Sequence, residues 1–287
     1  MENHVLGEKS PLFGRRTGQL KVNPLDYYDS AKFYPKASAE DKIKYYACMG
    51  GTPYYLSLID QGMSFEEDLG ELYFEINGYL NNEGILLMKQ AFREPANYNA
   101  VLQAIASGSN TLGEIAGFTQ LETSLISKYL VTLQEINYIV RVIPFGSNPL
   151  KGKTSQYHIT ENFIAFWYRY VFSVRTAIDR GNGDIYCGLA LDDLSHFIGP
   201  IFEEVTRQYL RRKNAQGKSP FIAKSFGTWW GKDNRGNVQE VDVVLESVSS
   251  QALLIGECKW RPSFKVNKTV EKLQERAAYF DKYTTQK

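Results

Sequence analysis

At 287 residues, with 43% apolar and 14% aromatic content, the chain can bury more than one core and is too apolar for a disordered polymer. Its 33 Lys and Arg nearly equal its 32 Asp and Glu, so whole-chain charge gives no ground for nucleic-acid binding and any basic footprint must be local. Three well-separated cysteines, Cys48, Cys187 and Cys258, and three histidines that do not cluster with them exclude a disulfide framework and a Cys/His zinc site.

A reducing, cytoplasmic setting follows from the cysteines. No apolar run of about 18 residues exists, so no membrane span is expected, and the start, MENHVLGEKSPLFGRR, lacks the apolar stretch of a signal peptide. No fixed-period repeat is present, which argues against a solenoid.

Four regions separate along the chain. Residues 1–92 open with SPLFGRRTGQLKVNPLDYYD and continue into helical patterns. SAEDKIKYYACMG begins with a Ser38 cap and acids in its first turn, and Gly50-Gly51 stops that helix before Pro53 opens the next. Residues 93–160 read as three helices, EPANYNAVLQAIAS, TLGEIAGFT and LETSLISKYLVTLQEINYI. In the third, Leu125, Tyr129, Leu130, Leu133 and Ile136 recur at helical spacing, and Asn137 stands where a left-handed stop is wanted. YIVRV and SQYHIT then read as a two-stranded ribbon around a polar loop. Three helices and a ribbon are the order of a winged helix-turn-helix.

Residues 161–198 form an aromatic connector. In ENFIAFWYRYVF, Phe163, Phe166, Trp167 and Tyr170 have the spacing of a core-facing stripe, so packing is favoured over a base-stacking platform. Residues 199–287 read as a helix (IFEEVTRQYLRRKN), three strands (PFIAKSFGTWW, VQEVDVVLES, QALLIGECKW) and a closing helix, VEKLQERAAYF. The turns KDNRGN and SVSS are short, which makes the strands an antiparallel meander. Of Trp229 and Trp230, alternation sends one to the core and leaves the other to line a cleft.

The chemistry concentrates in these last strands. Asp242 lies in the middle strand; fourteen residues separate it from Glu257, which with Lys259 ends the third. Alternation puts Glu257 and Lys259 on one face, and two carboxylates on a rigid sheet suit a hard divalent cation such as Mg²⁺ or Mn²⁺. Asp242 and Glu257 are the candidate metal ligands, and Lys259 the group that orients a water. The preceding helix offers Glu203 as a further acid, with Glu204 the alternative at that position. The bland reading is a surface ion pair with Asp242 solvated, worth about 0–1 kcal/mol.

This order resembles the PD-(D/E)xK nuclease superfamily over about residues 199–287. Glu203 matches its first-helix acid, Asp242 its strand acid, and Glu257 and Lys259 its E-x-K, while Val241 stands where the family has Pro. A wider resemblance rests on GRRTG (Gly14–Gly18), PLDYYD (Pro24–Asp29), GGTPYYL (Gly50–Leu56), FWYR (Phe166–Arg169), WWG (Trp229–Gly231) and GECKW together. As a set these are similar to an archaeal-type family of AAA+/STAND-like P-loop ATPases. That family carries an ATPase core, a helical lid, a winged helix and a C-terminal PD-(D/E)xK-like domain of unassigned function.

The resemblance implies a multidomain α and α/β chain: helical lid, winged helix-turn-helix, then an αβββα restriction-endonuclease-like domain. The family's G-x-x-x-x-G-K-[ST] does not occur here, so ATP is expected only of the full-length family, and this chain alone is not expected to hydrolyse it. Both ends read as truncated relative to the family. A separate ATPase core or a homo-oligomer is an open partner, and Arg15 or Arg16 is a nucleotide sensor or a loop residue in salt bridges.

A winged helix contacts DNA or serves as a plain dimerisation or spacer module; DNA is the favoured partner, with Ser124, Ser127 and Lys128 on the third helix, next to Thr123, and Lys151 and Lys153 in the wing. Arg211 and Arg212, in the basic run with Arg207 and Lys213, either guide a phosphate backbone or form a solvated helix face. Two functions stay open: a Mg²⁺-dependent DNA endonuclease, or an inactive nuclease-like binding module for nucleic acid or protein.

Overall fold

The computed structural model describes residues 18, 20, 22–148, 154–249 and 251–283. Its N-terminal part is a set of short helices: α1 (Tyr27–Ser30), α2 (Ala39–Met49), α3 (Pro53–Leu56), α4 (Phe65–Leu69), continued by a π-turn at Gly70–Phe74, and α5 (Glu83–Ala91). Ser38 caps α2 by accepting the Asp41 N–H, and Ser64 and Glu67 form a reciprocal capping box on α4. α2 stops at Gly50, whose φ of 70° and ψ of −150° lie in a region that side-chain-bearing residues avoid. A Cβ on Gly50 would fall 1.8 Å from Glu161 Oε1, and one on Gly51 would fall 2.0 Å from the Leu25 carbonyl oxygen. The glycine pair therefore lets two other segments approach the end of α2. The Gly51 N–H donates to Glu161 Oε1 at 3.1 Å, and the Leu25 N–H to the Gly51 carbonyl at 2.8 Å.

Three helices follow, α6 (Ala96–Ala106), α7 (Leu112–Thr119) and α8 (Thr123–Glu135), then the antiparallel ribbon of β1 (Ile139–Val142) and β2 (Gln156–Ile159). α8 buries Ile126, Leu130 and Leu133. The apolar stripe is thus rotated from the one that spacing suggested: Leu125 and Tyr129 are partly buried and Ile136 is exposed. Asn137 takes the left-handed conformation, φ 60°, that ends the helix. Beyond β1, the Phe145 N–H donates to the Thr228 carbonyl at 2.8 Å and so ties the ribbon's loop to the C-terminal sheet.

α9 (Asn162–Phe166) runs into a π-turn at Trp167–Val171. Phe163, Phe166, Trp167 and Tyr168 have no exposed surface, so this aromatic segment is core. The π-turn buries Trp167, Tyr168 and Val171. Trp167 Nε1 donates to the Asn81 carbonyl at 2.8 Å, and Gly84 leaves room for the indole: a Cβ there would sit 2.3 Å from the ring.

After α10 (Arg175–Ile178) comes α11 (Gly183–Ala215), a 33-residue helix about 50 Å long. The boundary expected at residue 199 falls inside it. The helix read from sequence as IFEEVTRQYLRRKN is the second half of this longer one, which carries Pro200 within it. Near its start, Arg169 and Asp193 pair at 2.6 Å; near its end, Arg212 pairs with Asp26 and Asp29.

The C-terminal sheet has the order β3 (Ala223–Lys232), β4 (Val238–Ser247), β5 (Leu253–Gly256), antiparallel throughout. α12 (Val266–Ala277) follows and passes into a 3₁₀ turn. One cluster, Ala223, Val243 and Leu245, packs with Leu210 of α11; another, Val241, Val244 and Phe280, packs with Leu273 of α12. The sheet therefore lies between these two helices. The whole is a mixed helix and sheet architecture with small antiparallel sheets. Among the described residues no helix is long and apolar enough to cross a membrane.

Candidate active site

β4 is irregular where it carries its acid. Gly227 pairs with Val244 and Trp229 with Val241, so Asp242 and Val243 together oppose Thr228. The extra residue is a β-bulge on β4, the device that re-aims a side chain and interrupts alternation. It explains how Val241 packs on the α12 side while Val243 packs on the α11 side. On the other edge, Val243 pairs with Gly256, so Asp242 and Glu257 are the next residues side by side where the ladder ends. The GECKW segment itself leaves the strand at Gly256, a difference from the sequence expectation. Its backbone is held instead by Asp242, whose Oδ2 accepts the Cys258 N–H at 2.7 Å.

The four residues expected to share a site occupy one region. Glu257 accepts from Lys259 Nζ through Oε1 and from Arg276 Nη1, at 2.8 Å, through Oε2. Asp242 is 7% exposed, and burial raises its pKa, with Glu257 adding to the rise against the Cys258 N–H, Lys259 and Arg276. Glu203, on α11, is pushed up to about 8, first by burial and then by the Asp242 charge; Arg207 and Lys259 oppose the rise. Its neighbour Glu204 is bound to Arg207 Nε at 2.9 Å and Arg211 Nη1 at 2.6 Å. Of the two alternatives, Glu203 is the one whose carboxyl feels Asp242.

Three further residues belong to the site: Glu240 and Arg276, which were not singled out from sequence, and Arg207, which was read only as part of the basic run after Glu203. Glu240 has its pKa raised by burial, then by Asp242 and Glu257. Its position two residues before Asp242 in E-V-D was the available signal. Arg207 donates to the Asp242 carbonyl at 2.8 Å and lies 3.8 Å from Glu203. Arg276 arrives from α12, nineteen residues past Glu257, a separation no local pattern encodes. Four carboxyl groups, Glu203, Glu240, Asp242 and Glu257, thus share the field of Lys259, Arg207 and Arg276. Burial with incomplete neutralisation is what holds three of those carboxyls up.

The donor chemistry is hard oxygen, as Mg²⁺ or Mn²⁺ requires. Among the described residues no group of three or more His, Cys, Asp or Glu side chains is arranged to hold a metal ion. Mg²⁺ ordinarily takes only one or two protein carboxylates and completes its shell with water and phosphate, and Asp242 and Glu257 are of the right kind and adjacent for that.

The expected DNA contacts divide. Ser124, Ser127 and Lys128 are exposed on α8, with Ser127 Oγ donating to the Thr123 carbonyl at 2.8 Å. Arg211 and Arg212 are already engaged, the first by Glu204 and the second by Asp26 and Asp29. Lys151, Lys153, Arg15 and Arg16 lie outside the described residues. Trp229 stacks on Tyr279 at 4.9 Å and meets Phe280 edge-on, which makes it the core-facing member of its pair.

Residues 167–273 match the DUF234 family model, described as "Archaea bacterial proteins of unknown function". That span holds Glu203, Glu240, Asp242 and Glu257 together with Lys259. The chain is also 36% identical over 261 residues to an uncharacterized protein of Methanocaldococcus jannaschii, MJECL04, covering 91% of this chain and 57% of that protein. This chain spans little more than half the length of that relative. No solved structure matches.

Proposed function

We propose that the chain carries a metal-assisted phosphodiester-hydrolysing site that acts on DNA, built on a restriction-endonuclease-like sheet and served by a winged helix at residues 93–160. One observation carries the reading: Asp242 sits in a bulge beside Glu257 and Lys259, with Glu203 of α11 in electrostatic contact. In this reading Asp242 and Glu257 would hold Mg²⁺ or Mn²⁺. A bound divalent ion supplies charge stabilisation at phosphate and an activated water.

The chain's own groups do the rest. Lys259, now bonded to Glu257, turns to orient the attacking water and offset charge on the phosphate oxygens. Glu203, pushed up to about 8 by burial and then by the Asp242 charge, keeps its proton at neutral pH and gives it to the departing oxygen as the P–O bond breaks. The helix–helix–helix–ribbon order and the exposed Ser124, Ser127 and Lys128 support DNA delivery by α8. ATP belongs to a nucleotide core of the resembled family, whose P-loop motif does not occur in this sequence.

A second reading has its own observation. Both Glu257 oxygens are taken by cations, as in a site where Lys259 and Arg276 stand in for a metal and the fold only binds. Incubating supercoiled plasmid and single-stranded DNA with Mg²⁺ or Mn²⁺ separates the two. Nicking by the wild type that disappears in Asp242→Ala and Lys259→Ala supports hydrolysis. Intact DNA with every protein, alongside metal-independent binding, supports the binding module.

A further inference from the structure

α12 carries a charge pattern that hydrolysis of phosphodiesters does not itself require. Lys265, Lys268, Lys272 and Arg276 recur at steps of three and four residues from its N-cap onward, so they form one stripe on the helix. Like charges at this spacing weaken a helix. Among the described residues no carboxylate lies within ion-pair distance of Arg261, Lys265, Lys268 or Lys272, and all four are exposed. Arg276 ends the stripe by bonding Glu257, so the row of cations runs directly into the acid cluster.

The stripe lines a cleft of about 670 Å³ together with Lys259 and Arg261. Lys259 and Arg261 also line a second cavity, of about 690 Å³, on their other side. The two cavities thus share a wall made of two cations. The second is aromatic where the first is basic: Tyr28, Phe202, Tyr209 and Trp260 line it, with Glu40 and Thr206 as polar groups. Tyr209 is 44% exposed, with the Lys213 ammonium over its ring at 5.2 Å and the Tyr28 ring 6.5 Å away, tilted by 32°.

We propose that the basic cleft and the aromatic cavity together bind a single strand of nucleic acid, with phosphates along α12 and an unpaired base stacked in the aromatic cavity beyond Lys259 and Arg261. The row from Lys265 to Arg276 is about 16 Å long, the reach of several backbone phosphates. Charge complementarity selects a polyanion, and the adjoining aromatic cavity selects one whose bases are free to stack, which a continuous duplex does not offer. The strand then crosses the acid cluster at Arg276 and Glu257. This rests on the nucleic-acid part of the reading above and assigns it a substrate form, a single strand or an unpaired end.

The test is binding of a fluorescein-labelled oligodeoxythymidylate, read by anisotropy in EDTA at several salt concentrations, with a blunt duplex of equal length as comparator. The wild type is expected to bind the strand at least tenfold more tightly than the duplex. Lys268→Ala/Lys272→Ala, on an exposed helix face, is expected to reduce the slope of log K against log salt by about 1.4, two contacts at about 0.7 each for single strands. Tyr209→Ala is expected to weaken strand binding about fivefold or more. An unchanged slope in the double lysine variant, a silent Tyr209→Ala, or a duplex bound as tightly as the strand overturns the proposal. Because EDTA removes hydrolysis from the readout, a protein that binds strands here but never cuts sinks the nuclease reading and leaves this one standing. A protein that cuts with both variants unimpaired does the reverse.

Discussion

Arg212 grips Asp26 through two parallel hydrogen bonds, Nε to Oδ2 at 2.9 Å and Nη2 to Oδ1 at 2.8 Å, although the two stand 186 positions apart in the chain. The same guanidinium reaches Asp29 at 2.7 Å and lies 4.9 Å from the Tyr28 ring centre. This fork joins the far end of α11 to the start of the N-terminal helices. A double-mutant cycle of Asp26→Ala and Arg212→Ala, followed by urea unfolding, is expected to give a coupling of about 0.5–1 kcal/mol, the upper range for a half-exposed pair. Additive losses would show that the fork contributes nothing as a pair.

The end of α2 is built for glycine. Gly50→Ala is expected to lower stability by about 2 kcal/mol or more, since the left-handed backbone and the Glu161 carboxyl both oppose a Cβ. Thermal or urea unfolding reads it. Adding Glu161→Ala to Gly50→Ala relieves only the clash, so the double variant is expected to lose less than the sum of the single losses.

Glu161 also sets a pH dependence. Burial pushes its carboxyl from 4.5 up to about 7, against the Gly51 N–H, which favours the ionised form. The folded chain therefore holds this proton between about pH 4.5 and 7 while the unfolded chain has released it. Stability contributed here is present below the unfolded pKa and falls as pH rises through that window, by about 3 to 4 kcal/mol at most. Glu161→Gln keeps an acceptor for Gly51 and removes the titration. Its unfolding free energy relative to the wild type is expected to rise between pH 5 and pH 8; a constant difference would show that Glu161 ionises in the fold as in water.

Metal binding has a readout that does not depend on cleavage. Mn²⁺ at a hundred times its Kd would stabilise the folded chain by about 2.7 kcal/mol, which raises the melting temperature by several degrees. The wild type is expected to show this rise and Asp242→Ala to show none. A rise of equal size in both would place the ion elsewhere.

The chain order of helices and strands was legible because it rests on local signals. Ser38 as a cap, Asn137 as a left-handed stop and the hairpin residues around Gly236 each act within a few residues. The acid and lysine cluster was legible in part for the same reason: Glu257 and Lys259 stand two residues apart. The features that were missed are long-range or break a local rule. The boundary expected at residue 199 falls inside α11, which carries Pro200 and whose flanks are fixed by Asp193 and Arg212. Arg212 reads as a free cation until Asp26 and Asp29 are folded against it, whereas Arg211 is engaged within α11 by Glu204, two turns earlier. Arg276 joins the site only when α12 packs on the sheet, and the bulge at Asp242 appears only through the pairing of β3 with β4.

α11 begins beside the aromatic core and ends at the fork with Asp26, and Glu203 and Arg207 lie between. Over a rod of about 50 Å, a tilt of about 5° at one end displaces the other by about 4 Å. Glu203 stands nine residues before Arg212 on this rod, and between them Arg207 holds the Asp242 carbonyl at 2.8 Å, so one helix fastens the acid cluster of the sheet to the segment around Asp26 and Asp29.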